Sequence, residues 1–320
     1  MEFDSSPVFL NSEKITRYID GRWDSLISCL ETSFVLYSSD DGQVIQPVRE
    51  NVTVRDYNGL LFSMPVCSSP HEALATKIIT VYNDNHLRGL PRIQGVILLF
   101  SAVDGVLKAI LEAPVITAKR TAGATAVATK YLASENPKIL AILGAGVQAR
   151  SHFEVLTHLY NFEEVRIWNI HQNNGEKLVK ELNDKGFHCV CCSNVEEAVR
   201  DADIIVTATF SKTPILKAVW VKPGAHINVI GASNPTSQEL DPELMRSAVV
   251  YTDSREAACV ESGDIIISEV EVYAEIGEVI LGKKEAFRDK TTVFKSLGMA
   301  VQDLVSAKLV YDAYTSDLQK

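Results

Sequence analysis

The chain has 320 residues, 46% of them hydrophobic and 22% charged, with a formal net charge of −10 and an isoelectric point near 5.3. This is the composition of a folded two-domain chain that buries a core without disulfide staples, and its acidic surface argues against nucleic-acid partners. No apolar run reaches the length of a membrane span, and the acidic start MEFDSSPVFL lacks the basic region and apolar core of a signal peptide, so a cytoplasmic protein is expected.

In chain order, the first 118 residues read as mixed helix and strand. A helix is expected from about Arg22 to Tyr37, where Trp23, Leu26, Ile27, Leu30, Phe34 and Leu36 supply an apolar side. Short strands follow at Val52–Val54, Leu60–Met64, Thr76–Val81, Val96–Phe100 and Leu107–Leu111, with Asn58-Gly59 and Asp104-Gly105 as hairpin signals. Strands so closely spaced suggest an antiparallel or mixed sheet.

The pattern changes near residue 119. Thr121–Leu132, rich in Ala and Thr, reads as a helix. Strand and helix then alternate: Ile139–Leu143, Val147–Tyr160, Glu164–Trp168, Gly175–Lys185, a short helix at Val195–Arg200, and strands at Ile204–Thr207, His226–Ile230 and Val249–Thr252. Apolar strands alternating with amphipathic helices imply a Rossmann-type doubly wound α/β fold, its parallel sheet covered on both faces. The segment Ser296–Tyr314 is helical and is expected to pack back on the N-terminal part. The expected division is a doubly wound domain over 119–295 and a discontinuous α+β domain over 1–118 and 296–320.

The sharpest signal is the strand Ile139–Leu143 followed by Gly144, Ala145, Gly146, Val147, Gln148 and Ala149. This is Gly-x-Gly-x-x-Ala between a strand and a helix. The first glycine permits the tight turn, the second lets backbone approach a pyrophosphate, and the small third residue lets helix and strand pack closely. The second strand ends at Asn169, where an NAD-selective site would carry Asp or Glu for the ribose hydroxyls. Asn169 would not repel a 2′-phosphate, yet Ile170 and His171 follow with no adjacent arginine, so NADPH and NADH both remain open. Ligands in such sheets lie beyond the carboxyl ends of strands, which makes Thr207-Ala208-Thr209, Gly231-Ala232-Ser233 and Ser296-Leu297-Gly298 candidate crevice walls. His226, inside a buried strand, is expected to be structural. The six cysteines match no zinc spacing; Cys189, Cys191 and Cys192 read as strand or loop packing, and no metal is expected.

Four stretches, Val115–Ala122, Ile142–Ala149, Val221–Asn228 and Thr291–Ala300, resemble the ornithine cyclodeaminase/μ-crystallin family over nearly the whole chain. The resemblance implies a Rossmann domain inserted into a substrate-binding and dimerisation domain, and a homodimer. It implies NAD(P)H-dependent reduction of cyclic ketimines such as piperideine-2-carboxylate and pyrroline-2-carboxylate, with thyroid-hormone binding in vertebrate members. It assigns Arg49, Lys77 and Arg120 as substrate-binding cations and Lys77, Arg120 and Glu256 as catalytic residues, Glu256 being an acidic residue near the pocket that offsets the cations. The cyclodeaminases carry Asp in a Gly-Gly-Asp-x-Pro stretch, whereas this chain has Gly231-Ala-Ser233-Asn-Pro235. Ser233, which would touch substrate and cofactor, has no carboxylate to act as a base, which favours reduction over deamination with cyclisation. Ile170-His171 also departs from the Arg-Thr of mammalian members.

Each residue has a plainer reading. Lys77, in a strand of small and apolar residues, needs an anionic partner or a ligand if buried, or reaches solvent from an edge strand. Arg120 precedes the helix expected to start at Thr121, where a guanidinium and free N–H groups would make a carboxylate site; a structural ion pair is the rival. Arg49 is uninformative on its own. Two other functions stay open: an alanine-dehydrogenase-like oxidoreductase, and a hormone-binding or lens structural protein with vestigial turnover.

Overall fold

The computed structural model describes residues 6–320, which fall into two compact units. One contains the described residues up to Arg120 together with Gly298–Lys320; the other is Thr121–Leu297.

The first unit begins with β1 (Val8–Leu10), α1 (Ser12–Ile19) and α2 (Trp23–Ser38). Asn11 caps α1, its side-chain oxygen accepting from the Lys14 N–H at 3.0 Å. On α2, Leu26, Ile27, Leu30 and Phe34 fall three and four residues apart and are buried. Then come β2 (Val44–Ile45), β3 (Glu50–Val54), β4 (Gly59–Ser68), β5 (Ala73–Tyr82), β6 (Ile93–Ser101) and β7 (Leu107–Glu112). They form a seven-stranded sheet in the order β1-β7-β6-β5-β4-β2, with β3 also on β4. Only β1 and β7 run parallel; the other pairs are antiparallel, so the sheet is mixed.

Register separates the two faces of this sheet. Met64, Lys77, Ile97, Leu111 and Leu10 stand opposite one another across five strands, and all are buried. The next row, Pro65, Thr76, Leu98, Ile110 and Phe9, points to the other face and is half-buried to exposed. The C-terminal helix packs on α2 and on the three central strands, as the apolar spacing of that segment implies.

The helix α3 (Ala113–Leu132) carries the chain into the second unit, which contains β8 (Ile139–Leu143), α4 (Val147–Leu159), β9 (Glu164–Trp168), α5 (Gln172–Asp184) and β10 (Cys189–Cys191). It continues with α6 (Val195–Val199), β11 (Ile204–Thr207), β12 (His226–Val229), α7 (Pro242–Ser247), β13 (Val249–Thr252), α8 (Arg255–Glu261), α9 (Gly263–Ser268), β14 (Ala274–Glu275), α10 (Ile276–Ile280) and β15 (Thr292–Lys295). The final helix, α11 (Ala300–Leu318), belongs to the first unit. The eight strands of the second unit are parallel throughout, in the order β10-β9-β8-β11-β12-β15-β13-β14. The order reverses between β8 and β11, where a doubly wound sheet opens its crevice. Every residue of β11, β12 and β15 is buried, as strands covered on both faces require.

His226 is structural, as its place in a buried strand suggests. Its ring nitrogens meet Thr292 Oγ1 at 2.8 Å and Asn228 Oδ1 at 3.1 Å, and Asn228 donates to Thr129 Oγ1 on α3. The Cys189–Cys192 group lies on and just after the edge strand β10, and all six thiols are free. Among the described residues, no helix is long and apolar enough to cross a membrane, and no group of His, Cys, Asp or Glu could hold a metal.

Two expectations about helices are corrected. The helix expected to begin at Thr121 begins eight residues earlier, at Ala113. The β-branched run Val115–Thr117 hides its start, and Pro114 in the first turn is the signal that marks it. Arg120 therefore sits inside α3, where the backbone N–H groups are already bonded, and not before a free helix N-terminus. The last helix runs over Ala300–Leu318 rather than from Ser296, because Ser296 and Leu297 still follow β15 and Gly298 has a φ of +83°.

Candidate active site

In the second unit the dinucleotide turn sits at the strand-order reversal. Gly144 has a φ of +131°, and a Cβ there would lie 2.6 Å from the Ala208 carbonyl oxygen at the end of β11. The Gly144 N–H donates to Trp168 O at 2.8 Å and the Ala208 N–H to Leu143 O at 2.8 Å, so the turn is pinned between both neighbouring strands. Gly146 differs. It is the N-cap of α4, its φ is an ordinary −86°, and a Cβ built on it would meet nothing within 4 Å. Nothing inside the protein requires glycine there. The space is open, and no side chain caps the 13-residue α4, which leaves its first N–H groups directed outward. Gly146 and Val147 are exposed, Ala145 and Gln148 half-buried, and Ala149 is packed inside. This geometry fits a pyrophosphate: close backbone approach, oriented N–H groups and the positive end of a helix.

At the end of β9, Asn169 is half-buried and its amide donates to the His171 carbonyl at 3.0 Å, while His171 is exposed. Thr207 is fully buried, with its hydroxyl on Glu239 Oε2 at 2.8 Å. The Thr209 N–H and hydroxyl donate to Glu239 Oε1 at 2.7 and 2.6 Å, and the Gly231 N–H donates to Glu239 Oε2 at 2.7 Å. One buried carboxylate thus ties the strand ends of β11 and β12 together; desolvation raises its pKa against the pull of Lys295. Lys295, itself buried, bonds Gly231 O and pairs with Asp264 at 3.1 Å. Ala232 takes a left-handed φ of 51°, after which Ser233 is exposed. The Leu297 N–H is held by Asp253 Oδ2 at 3.0 Å. Glu256 is exposed in the first turn of α8.

In the first unit the structure brings Lys77, Arg120 and Arg49 to one neighbourhood. Lys77, on the central strand β5, is 1% exposed, and its Nζ lies 2.6 Å from Asp303 Oδ2 on α11. Arg120 is 5% exposed; its Nε donates to Asp303 Oδ1 at 3.0 Å and its Nη1 to Gln302 Oε1 at 3.0 Å. Gly298 lies under this guanidinium, where a Cβ would come within 2.5 Å of Nη1. Half-buried Arg49 donates from Nη2 to the Gly298 carbonyl at 3.4 Å. Burial pushes the Lys77 ammonium down to about 7; Arg120 and Arg49 add repulsion, and Asp303 opposes the fall.

The edge-strand reading of Lys77 is thereby set aside, since β5 lies between β4 and β6. Asp303, Gln302 and Glu239 are not among the residues that motif and spacing single out. Asp303 falls on the buried side of a helix whose apolar spacing is broken there by a carboxylate, a signal that pairs naturally with buried cations elsewhere.

Residues 8–317 match the ornithine cyclodeaminase/mu-crystallin family, and the chain belongs to it. Among its relatives is the ketimine reductase mu-crystallin of Macropus fuliginosus, 49% identical over 97% of this chain and 98% of that one. Among solved structures, a Thermococcus litoralis Delta(1)-pyrroline-2-carboxylate reductase in complex with NADH and L-proline superposes with a TM-score of 0.92. It is 33% identical, covering 97% of this chain and 98% of its own. An archaeal alanine dehydrogenase dimer with bound NAD follows at 0.91 and 31% identity, covering 98% and 97%.

Proposed function

We propose that this chain is an NAD(P)H-dependent C=N oxidoreductase that reduces cyclic imine-2-carboxylates, such as piperideine-2-carboxylate and pyrroline-2-carboxylate, to cyclic amino acids. The observation that carries this reading is the buried Lys77–Asp303–Arg120 cluster. Apolar residues would fill the same core without the cost of desolvating three charges, so cations kept there suit recognition of a small anion. The likeness to ketimine and pyrroline-2-carboxylate reductases supplies the C=N substrate class.

In this reading Arg49, Lys77 and Arg120 bind the carboxylate, and Lys77 carries the proton for the imine nitrogen. When bound between the Gly144–Gly146 turn and the strand-end walls, reduced nicotinamide supplies a hydride to the imine carbon. Protonation of the nitrogen makes that carbon electrophilic, and holding donor and acceptor together lowers the barrier by several kcal/mol, on the order of 7–11 in well-oriented systems. Ser233 offers no carboxylate base, consistent with reduction rather than deamination. Glu256 is assigned as a further acidic residue toward the substrate. Asn169 leaves both NADH and NADPH acceptable.

The row Phe9, Ile110, Leu98, Thr76 and Pro65 supports a homodimer: Phe9 is exposed and the others are half-buried, a mainly apolar strip on the sheet face opposite the buried row. Thyroid-hormone binding in the same pocket is a further proposal, which rests on the likeness to mu-crystallins.

Steady-state assays with each cyclic imine and with NADH or NADPH test the reading, with pyruvate plus ammonia as the comparison substrate. Turnover of the cyclic imines is expected to exceed that of the open-chain pair. Faster turnover of pyruvate with ammonia would replace the assignment by an alanine-dehydrogenase activity. Nucleotide and hormone binding without any turnover would leave a binding protein.

A further inference from the structure

We propose that Asp303 is a positioning residue for this reduction, one carboxylate that fixes the Lys77 ammonium and the Arg120 guanidinium in a single rigid frame. The inference rests on the imine-carboxylate reading of the site. Its geometric basis is that the two oxygens are divided between the two cations: Oδ2 lies 2.6 Å from Lys77 Nζ, and Oδ1 accepts from Arg120 Nε at 3.0 Å. Asp303 is 1% exposed, so water does not screen either contact. The guanidinium is held on a second edge by Gln302 Oε1, and it lies over Gly298 where any side chain would collide with it. Lys77 is fixed from the other direction by its register in the middle of the sheet, opposite Met64 and Ile97.

A merely structural role is a poor account of this arrangement. An ion cluster buried on an otherwise apolar inner face is at best neutral for stability relative to apolar side chains. It does hold two basic side chains at a fixed separation before substrate arrives. The charged groups that act on Lys77 are Asp303 on α11, Arg120 on α3, and Arg49 ahead of β3. Two of the three are cations, so without the carboxylate Lys77 would give up its proton at lower pH.

The Lys77 Nζ–H bond breaks and an N–H bond forms on the imine nitrogen. The hydride adds to the imine carbon, the C=N double bond becomes a single bond, and NAD(P)H is oxidised to NAD(P)⁺. Neutral Lys77 then takes a proton from solvent. Asp303 is assigned no contact with the imine or the nicotinamide; it acts through Lys77 and Arg120, which it holds.

The test is the pH profile of kcat/KM for a cyclic imine-2-carboxylate in wild type, Asp303→Asn and Asp303→Glu, from about pH 5 to about pH 10. NADH affinity and thermal stability are measured alongside. Asp303→Asn is expected to move the alkaline limb downward by about one pH unit or more and to raise KM about tenfold near neutral pH, with NADH affinity unchanged. Asp303→Glu is expected to return the limb toward its wild-type position while kcat stays reduced. A folded Asp303→Asn protein whose loss is the same at every pH, with the limb unmoved, would overturn the proposal. If Asp303→Asn does not fold, Asp303→Glu decides: wild-type kcat and KM would show that the carboxylate's position is immaterial. If the wild type binds NADH but reduces no cyclic imine, the substrate reading fails. Asp303 is then judged by melting temperature against pH, where the Asn variant should begin its alkaline rise in stability earlier than wild type. Coincident curves would count against it.

Discussion

Replacing Gly144 and Gly146 by alanine, one at a time, should separate the two jobs of the dinucleotide turn. At Gly144 the new Cβ would fall 2.6 Å from a backbone oxygen, and the φ of +131° is foreign to side-chain-bearing residues. The clash is with backbone, so a flexible side chain cannot relieve it. Strain of this kind, with the displacement of β11 it forces, costs about 3–4 kcal/mol. At roughly 2 °C per kcal/mol for a chain of this size, the melting temperature should fall by about 6–8 °C. At Gly146 the arithmetic reverses. Alanine fits the φ of −86° and touches nothing within 4 Å. The poorer N-cap costs about 0.5–1 kcal/mol, and the stiffer unfolded chain returns about 0.4–1 kcal/mol, so stability should hardly change. The methyl group would instead occupy the space through which a pyrophosphate approaches the backbone. Loss of one charge-assisted hydrogen bond, about 1.5–3 kcal/mol, weakens NADH binding by about 10- to 150-fold. Thermal melts and the quenching of reduced-nicotinamide fluorescence measure the two effects separately. Wild-type NADH affinity in Gly146→Ala would refute the assignment of the pyrophosphate to this turn.

Other consequences follow from the same geometry. Gly298→Ala should push the Arg120 guanidinium off its seat, raising KM for the imine while leaving NADH affinity intact; an equal loss in both would place Gly298 at the cofactor instead. Burial pushes His226 and His152 down to about 3 and about 4, so each binds its proton more readily unfolded than folded. Their contribution is complete above the unfolded value near 6.5 and declines as pH falls below it, down to the folded values. Melting temperature should therefore drop between about pH 6.5 and pH 4. In a His226→Gln variant the slope over that interval should be shallower, and an unchanged slope would discount the histidine. Leu98→Lys, in the centre of the half-buried sheet row, should shift sedimentation from the proposed dimer to monomer, whereas a wild-type profile would count against this face as the interface.

Much of the fold is legible in the residues because local rules and tertiary packing agree. Ile139–Leu143 is an apolar run bounded by Lys138 and Gly144, and β8 occupies those same residues. The boundary of α3 was hidden because Val115, Ile116 and Thr117 favour strands locally while packing at the unit's core overrides them. β1 and α1 leave little trace, since a three-residue strand and an eight-residue helix are too short for periodicity to stand out. Lys77 could be marked as unusual from its apolar neighbours alone. Its partner lies 226 positions further along, and no spacing rule connects residues so remote.

That remoteness has a consequence for how the protein is made. Lys77 and Arg120 are synthesised long before Asp303, and nothing encoded in the first 120 residues supplies the buried negative charge that both cations meet in the finished structure. The strands of the sheet that opens the chain are thus made early, but the helix that packs on them is translated only after the whole nucleotide unit. A nascent chain stopped short of α11 would hold Lys77 and Arg120 without their carboxylate, beside apolar strand residues that native packing has yet to cover.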